Sequence, residues 1–173
     1  MLVCDTGPLA AAGLSRDPDH HACVELFTAM HLAGRPMVLP APVVAEVGYL
    51  LHRRGSARAE SAFLRSLAAG DFRTVELTGE DYARMADLVD TYADLPLGTS
   101  DAAVIALADR LRVAEVATLD HRHFGSFGPA CRGPHDSSLS WALFCARPPS
   151  RQPRNPTRAV ETGSSGFGAQ VRA

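Results

Sequence analysis

Residues 2–8 read Leu2-Val3-Cys4-Asp5-Thr6-Gly7-Pro8. Leu2, Val3 and the small Cys4 have the character of a short buried strand, and Gly7-Pro8 punctuates it. Asp5 then stands at the C-terminal end of that strand, where open α/β sheets place their ligand sites. An Asp in this position also serves as the N-cap of a following helix. The stretch alone leaves both readings open. What separates them is whether later strands and helix starts also carry acids.

Working outward, Leu9 to Leu14 suits one or two helical turns, and Asp17-Pro18-Asp19 opens a helix over residues 20–33 that Gly34 ends. Met37-Val38-Leu39 reads as a second strand closed by Pro40. A helix follows from Pro42 to about Arg54, with Val43, Val47, Leu50 and Leu51 as its apolar face, Glu46 on the flank of that stripe and Gly55 as its stop. Ser56 to Ala69 makes another helix, and the alternation through Phe72–Leu77 suits a third strand. Thr78 with Asp81 has capping-box spacing and starts a helix to about Tyr92. Residues 101–112 are apolar nearly all round, the mark of a centrally buried helix. Val113 to Thr118 gives a fourth strand, ending at Leu119-Asp120. Strands alternating with helices predict an α/β domain with a mainly parallel sheet.

Length and composition agree with a single domain. The chain has 173 residues, 46% of them hydrophobic, enough to bury a sizeable core. No apolar run reaches membrane length, and no basic region precedes the first apolar residues, so neither a spanning helix nor a signal peptide is expected. Cys4, Cys23, Cys131 and Cys145 are far apart, which suits reduced thiols in a cytoplasmic protein better than disulfides or zinc. The net charge of −2 hides an asymmetry: residues 1–140 hold 12 Arg against 18 acids, whereas residues 141–173 hold five Arg and one Glu. Every basic residue is Arg. That matches phosphate recognition, and codon bias gives the same count.

Asp5, Glu46, Asp101 and Asp120 each stand at the end of a strand or the start of a helix. In a parallel sheet these positions share one edge, so the four can meet in one cleft. Crowded carboxylates need a compensating charge. A hard divalent cation supplies it, and Mg²⁺ takes one or two protein carboxylates while keeping several waters. Such an ion activates water and stabilises the leaving oxygen of a phosphodiester. Each acid also has a plainer explanation: Asp101 complements a helix dipole, Glu46 is a solvated helix residue, and Asp120 begins a turn. Asp94 is a loop acid near enough to Asp101 to make a fifth candidate. Spacing alone does not choose between these.

Four segments together resemble the PIN-domain family, in particular its VapC-type ribonuclease toxins from bacterial toxin–antitoxin pairs. They are Val3-Cys4-Asp5-Thr6-Gly7-Pro8-Leu9, Pro40-Ala41-Pro42-Val43-Val44-Ala45-Glu46-Val47, Asp94-Leu95-Pro96-Leu97-Gly98-Thr99-Ser100-Asp101-Ala102 and Ala117-Thr118-Leu119-Asp120-His121-Arg122-His123-Phe124. The resemblance covers residues 1 to about 127 and implies a three-layer α/β/α fold. It implies a catalytic set of Asp5, Glu46, Asp101 and Asp120, with Asp5 and Asp101 as the principal Mg²⁺ ligands and Mn²⁺ as a substitute ion. Glu46 and Asp120 would complete the site through water or by orienting the nucleophile; Thr6 and Thr118, beside two of the acids, suit bonds to ligands or RNA phosphate, or bonds that only satisfy backbone. The implied reaction is hydrolysis of RNA phosphodiester bonds; the implied partners are RNA, a VapB-like antitoxin and a second copy of the chain.

The chain departs from the family after Phe127, where more than forty residues rich in Arg, Pro, Gly and Ser follow. A domain boundary is therefore expected near residue 130, with 131–173 as a disordered extension and Ser140 to Ala146 as a short element within it. That tail also suits non-specific contact with nucleic acid. Neither His20-His21 nor His121-x-His123 has zinc-site company. Arg53, Arg54 and Arg58 suit either RNA phosphate or a solvated helix end. Two other functional readings stand beside the nuclease. A phosphotransferase or dehalogenase with Asp5 as nucleophile lacks its second acid, since position 7 is Gly. A PIN-like module that binds RNA or protein without cutting would leave the four acids dispensable.

Overall fold

The structure, a computed structural model, describes residues 1–94, 97–120 and 142–144. In chain order the elements are β1 (Leu2–Cys4), α1 (Thr6–Gly13), α2 (His20–Leu32), β2 (Met37–Pro40), α3 (Ala41–Arg54) and α4 (Ala57–Ala69). They continue with β3 (Arg73–Val75), α5 (Gly79–Thr91), α6 (Thr99–Leu111), β4 (Glu115–Ala117) and β5 (Ala142–Phe144). The strands form one sheet in the order β3-β2-β1-β4-β5, and every neighbouring pair is parallel. Helices flank the sheet, as the alternating pattern predicts.

β1 is the centre of this arrangement, with Val3 in register with Val38 of β2 on one side and Val116 of β4 on the other. Buried on both faces, it reads as the continuous apolar run Leu2-Val3-Cys4, the usual composition of a central parallel strand. The remaining core comes from Leu39, Val43, Val47, Leu51, Leu88 and one long stretch of α6, in which Ala102 to Ala108 are all buried. α6 packs against β1, β2, α3 and α5, which explains its all-round hydrophobicity.

Local signals place the boundaries. Thr78 and Asp81 form the capping box their spacing predicts. Ser56 caps α4, and Gly70 ends it in the left-handed region at φ 83°. At the first strand the outcome differs from expectation. Gly7-Pro8 does not form a separate turn; it lies inside the first turn of α1, where a proline costs no hydrogen bond. Asp5 is the N-cap of that helix, so strand and helix meet with no intervening loop.

The short element expected within Ser140 to Ala146 is β5, and it pairs with β4 at Val116↔Leu143. The sheet therefore reaches past the boundary expected near residue 130. Apart from this strand, the expected disorder of 131–173 and the His121–Phe124 segment lie outside the described residues. No helix among the described residues is long and apolar enough to cross a membrane.

Candidate functional site

Parallel pairing carries the four acids to the C-terminal edge of the sheet. Asp5 follows β1 directly, Asp120 lies three residues beyond β4, Glu46 is in the second turn of α3, and Asp101 is in the first turn of α6. The Asp5 N–H still pairs with the Ala117 carbonyl at 3.0 Å, so its backbone is fixed by β4 as well as by β1.

Asp5 is the hub. Only 4% of it is exposed. Its Oδ1 accepts the Thr6 N–H at 2.6 Å, and its Oδ2 accepts the Thr118 hydroxyl at 2.8 Å. Burial pushes its carboxyl up to about 6, against the Thr118 bond; the charges of Asp101 and Glu46 push the same way, and the Thr6 bond opposes them. Those two acids are therefore within electrostatic reach of Asp5, as convergence at one edge predicts.

Each remaining acid is held by a different device. Glu46 is exposed, and its Oε2 accepts the Thr6 hydroxyl at 2.8 Å. Asp101 reaches back to accept the Gly98 N–H at 3.0 Å, the geometry of half a capping box. A Cβ on Gly98 would stand 3.2 Å from that same Asp101 oxygen, so a glycine there gives the carboxylate room. Asp120 donates its N–H to Thr118 Oγ1 at 3.0 Å, which joins its turn to the Asp5 cluster. Gly7 packs beside Leu119, bringing the residues after β1 against those after β4.

Thr6 and Thr118 bond to the acids themselves, and Thr118 also satisfies a backbone N–H. Their hydroxyl protons go to Glu46 and Asp5, and Thr118 has no exposed surface, so it cannot reach RNA. Sequence reading placed both beside acids without finding that they hold the acids. Gly98 stands in the third of the quoted segments, and its spacing of three from Asp101 is the signal for the N–H bond that holds this acid.

Other candidates lie elsewhere. Asp94 is exposed and precedes the undescribed residues 95–96. Arg53 and Arg54 end α3, about 20 Å along the helix from its start at the acidic edge. Arg54 faces Asp17 at 3.5 Å. His20 pairs its Nδ1 with the Ala11 carbonyl at 3.0 Å. Burial, with the Asp5 charge next to it, pushes the Cys4 thiol well up. Burial, reinforced by Asp19 and Asp17, takes Cys23 to about 11. Neither thiol is a nucleophile at neutral pH. A hollow of about 330 Å³ between α1, α3 and α4 is lined by Leu9, Leu51, Phe63 and Phe72 and contains no acid.

The donors at the acidic edge suit a hard cation. All four are carboxylates, and Asp5, buried and pressed by like charges, is the kind of group a divalent ion relieves. Among the described residues no three acidic, His or Cys side chains close into a metal-sized cage.

Comparison with known proteins agrees with this architecture. The family model for the PIN domain matches residues 2–127. Ribonuclease VapC26 of Mycobacterium tuberculosis is 35% identical over 128 residues, which is 74% of this chain and 93% of that protein. Among solved structures, the Mycobacterium tuberculosis toxin VapC20, described as cleaving the sarcin-ricin loop, superposes with a TM-score of 0.64 at 19% identity, over 73% of this chain and 95% of its own. FitAcB from Neisseria gonorrhoeae gives a TM-score of 0.52 at 19% identity, over 72% of this chain and 91% of its own. Matched by the family model from residue 2 to residue 127, this chain belongs to the PIN domain family.

Proposed function

We infer that this chain is a metal-dependent ribonuclease, the toxin of a toxin–antitoxin pair, and that it hydrolyses RNA phosphodiester bonds at the C-terminal edge of its sheet. The observation that carries the reading is the placing of Asp5: a buried carboxylate at a strand end, under the charges of Asp101 and Glu46. Burial of that kind disfavours the charged form by more than the helix cap and the two hydrogen bonds offset. The name of the relative VapC26 supports RNA as the substrate.

Asp5 and Asp101 are the residues to hold Mg²⁺, with Mn²⁺ as a substitute. The ion supplies positive charge to the phosphate and to the leaving oxygen. The chain's own part is positional. Asp5 is pinned through both oxygens and keeps a lone pair on each for a ligand. Glu46, held through Oε2, has Oε1 to accept a proton from the attacking water. Asp120, whose turn closes on Thr118, is assigned to orienting the attacking water. Water adds to phosphorus, one P–O bond breaks, and the departing oxygen takes up a proton. The proposed partners are RNA, an antitoxin that covers the acidic edge, and a second copy of the chain.

The test is cleavage of a mixed RNA pool by the full chain with Mg²⁺, with EDTA and with Asp101→Asn. Cutting that needs Mg²⁺ and falls at least about 100-fold in the variant supports the reading. Cutting that survives EDTA and the variant refutes it. A folded, Mg²⁺-binding protein that does not cut replaces it with a binding module. Co-purification with the product of the neighbouring gene tests the antitoxin, and mass in solution tests the dimer.

A further inference from the structure

Thr118 follows β4 and is wholly buried. Its Oγ1 donates to Asp5 Oδ2 at 2.8 Å and accepts the Asp120 N–H at 3.0 Å. Chemistry sets both directions. A backbone N–H only donates and an ionised carboxylate only accepts, so the hydroxyl proton belongs to Asp5. Val has nearly the same shape and suits a strand end at least as well. A buried hydroxyl is costly unless bonded, so what distinguishes Thr here is what its oxygen holds.

Two acids depend on that oxygen. Asp5 is gripped from α1 by the Thr6 N–H and from the β4 side by Thr118, which fixes the plane of its carboxylate. The turn carrying Asp120 closes on the same atom. We propose that Thr118 is a positioning residue for divalent-cation binding, its hydroxyl holding Asp5 and the Asp120 turn in one register. The proposal rests on the metal-dependent reading above. Thr118 touches neither ion nor RNA; it acts through Asp5 and Asp120.

The test uses the full chain as wild type, Thr118→Val and Thr118→Ser, with Mn²⁺ as the probe. Mn²⁺ affinity is measured by titration calorimetry, unfolding temperature by circular dichroism, and RNA cleavage against Mn²⁺ concentration. Partners that orient metal ligands typically contribute tenfold or more, so Thr118→Val should weaken Mn²⁺ binding about 10–100-fold, and Thr118→Ser should stay within about 3-fold of wild type. Cleavage by the Val variant should recover as Mn²⁺ is raised, with KM for RNA unchanged. Wild-type Mn²⁺ affinity in Thr118→Val overturns the proposal. So does a Ser variant as weak as Val, which would assign the effect to the methyl group. If Thr118→Val does not fold, Thr118→Ala replaces it under the same criteria. A wild type that binds Mn²⁺ without cutting RNA removes the nuclease reading, and the Mn²⁺ comparison still decides the role of Thr118. A wild type that binds no Mn²⁺ overturns the proposal.

Discussion

The Thr6 hydroxyl donates to Glu46 Oε2 at 2.8 Å, tying the first residue of α1 to the second turn of α3. Glu46 is exposed, and without this bond its long side chain would sample several rotamers. Thr6→Val should therefore lower kcat for RNA cleavage about 10-fold, and Thr6→Ser should keep most of it. The cost in stability should be small, about 0.5–1.5 kcal/mol for one part-buried hydrogen bond. Single-turnover kinetics and urea unfolding of the two variants check this. Equal losses in both variants would move the effect from the hydroxyl to the methyl group.

Asp5 links acidity to stability. Its carboxyl is pushed up to about 6, chiefly by burial, from an ordinary 3.8. The folded protein thus holds this proton more tightly than the unfolded chain does. The stability it contributes is fully present below about pH 3.8 and is lost as pH rises through about 6. Asp5→Asn abolishes that loss, and in metal-free buffer at pH 7 it should raise the unfolding free energy by about 1–3 kcal/mol while abolishing cleavage. Because a cation competes with the proton, Mn²⁺ binding by the wild type should strengthen as pH rises through about 6. Denaturant titrations of both proteins from pH 4 to 8 measure the first effect, and calorimetry measures the second.

Gly13 closes α1 against α3. A Cβ there would stand 2.5 Å from Leu51 Cδ2, and the fully buried Leu51 can relieve that only by leaving its rotamer for the hollow it lines. Helix propensity alone would make Gly13→Ala favourable by up to about 1 kcal/mol. Overpacking should win, with a net loss of about 1–2 kcal/mol. The double variant with Leu51→Ala should lose less than the sum of the two single changes. Thermal unfolding of all four proteins gives the coupling.

Asp81 is almost wholly buried, yet it carries two duties. It accepts the Thr78 N–H at 2.8 Å in the capping box of α5 and pairs with Arg110 Nε of α6 at 2.9 Å. Arg110 also donates to the Glu76 carbonyl at 2.9 Å. Arg110→Met keeps the stem and removes the charge. It should cost about 1–3 kcal/mol, below the range for a fully buried pair because Arg110 is part-exposed and Asp81 keeps its cap bonds. Unfolding in urea at low and high salt checks it, with Mn²⁺ affinity expected to stay unchanged.

Much of this architecture was legible from short-range chemistry. Apolar runs ending in Asp5 and Asp120, the Thr78–Asp81 spacing and the all-round apolar α6 each report a local environment that the residues alone specify. Strand order was not among these, because pairing depends on contacts between residues far apart in sequence. The bonds of Thr6 and Thr118 were hidden for the same reason: their partners lie 40 and 113 positions away. Gly7-Pro8 was misread because a proline in the first turn of a helix and a proline in a loop look alike until the helix start is known. The four segments that resemble the PIN family located the acids, whereas the devices that hold them came from three-dimensional placing alone.

The central position of β1 also sets a timetable. β1 pairs with β2 on one side and β4 on the other. Asp5 and Glu46 come from the first half of the chain, and Asp101 and Asp120 from beyond it. During synthesis, at about 5–20 residues per second, a nascent chain has β1 and β2 well before it has β4. Until β4 docks, Asp5 lacks both its backbone partner Ala117 and its side-chain partner Thr118. The acidic edge is thus completed only once β4 and Asp120 have emerged, late in the described core and ahead of β5 alone.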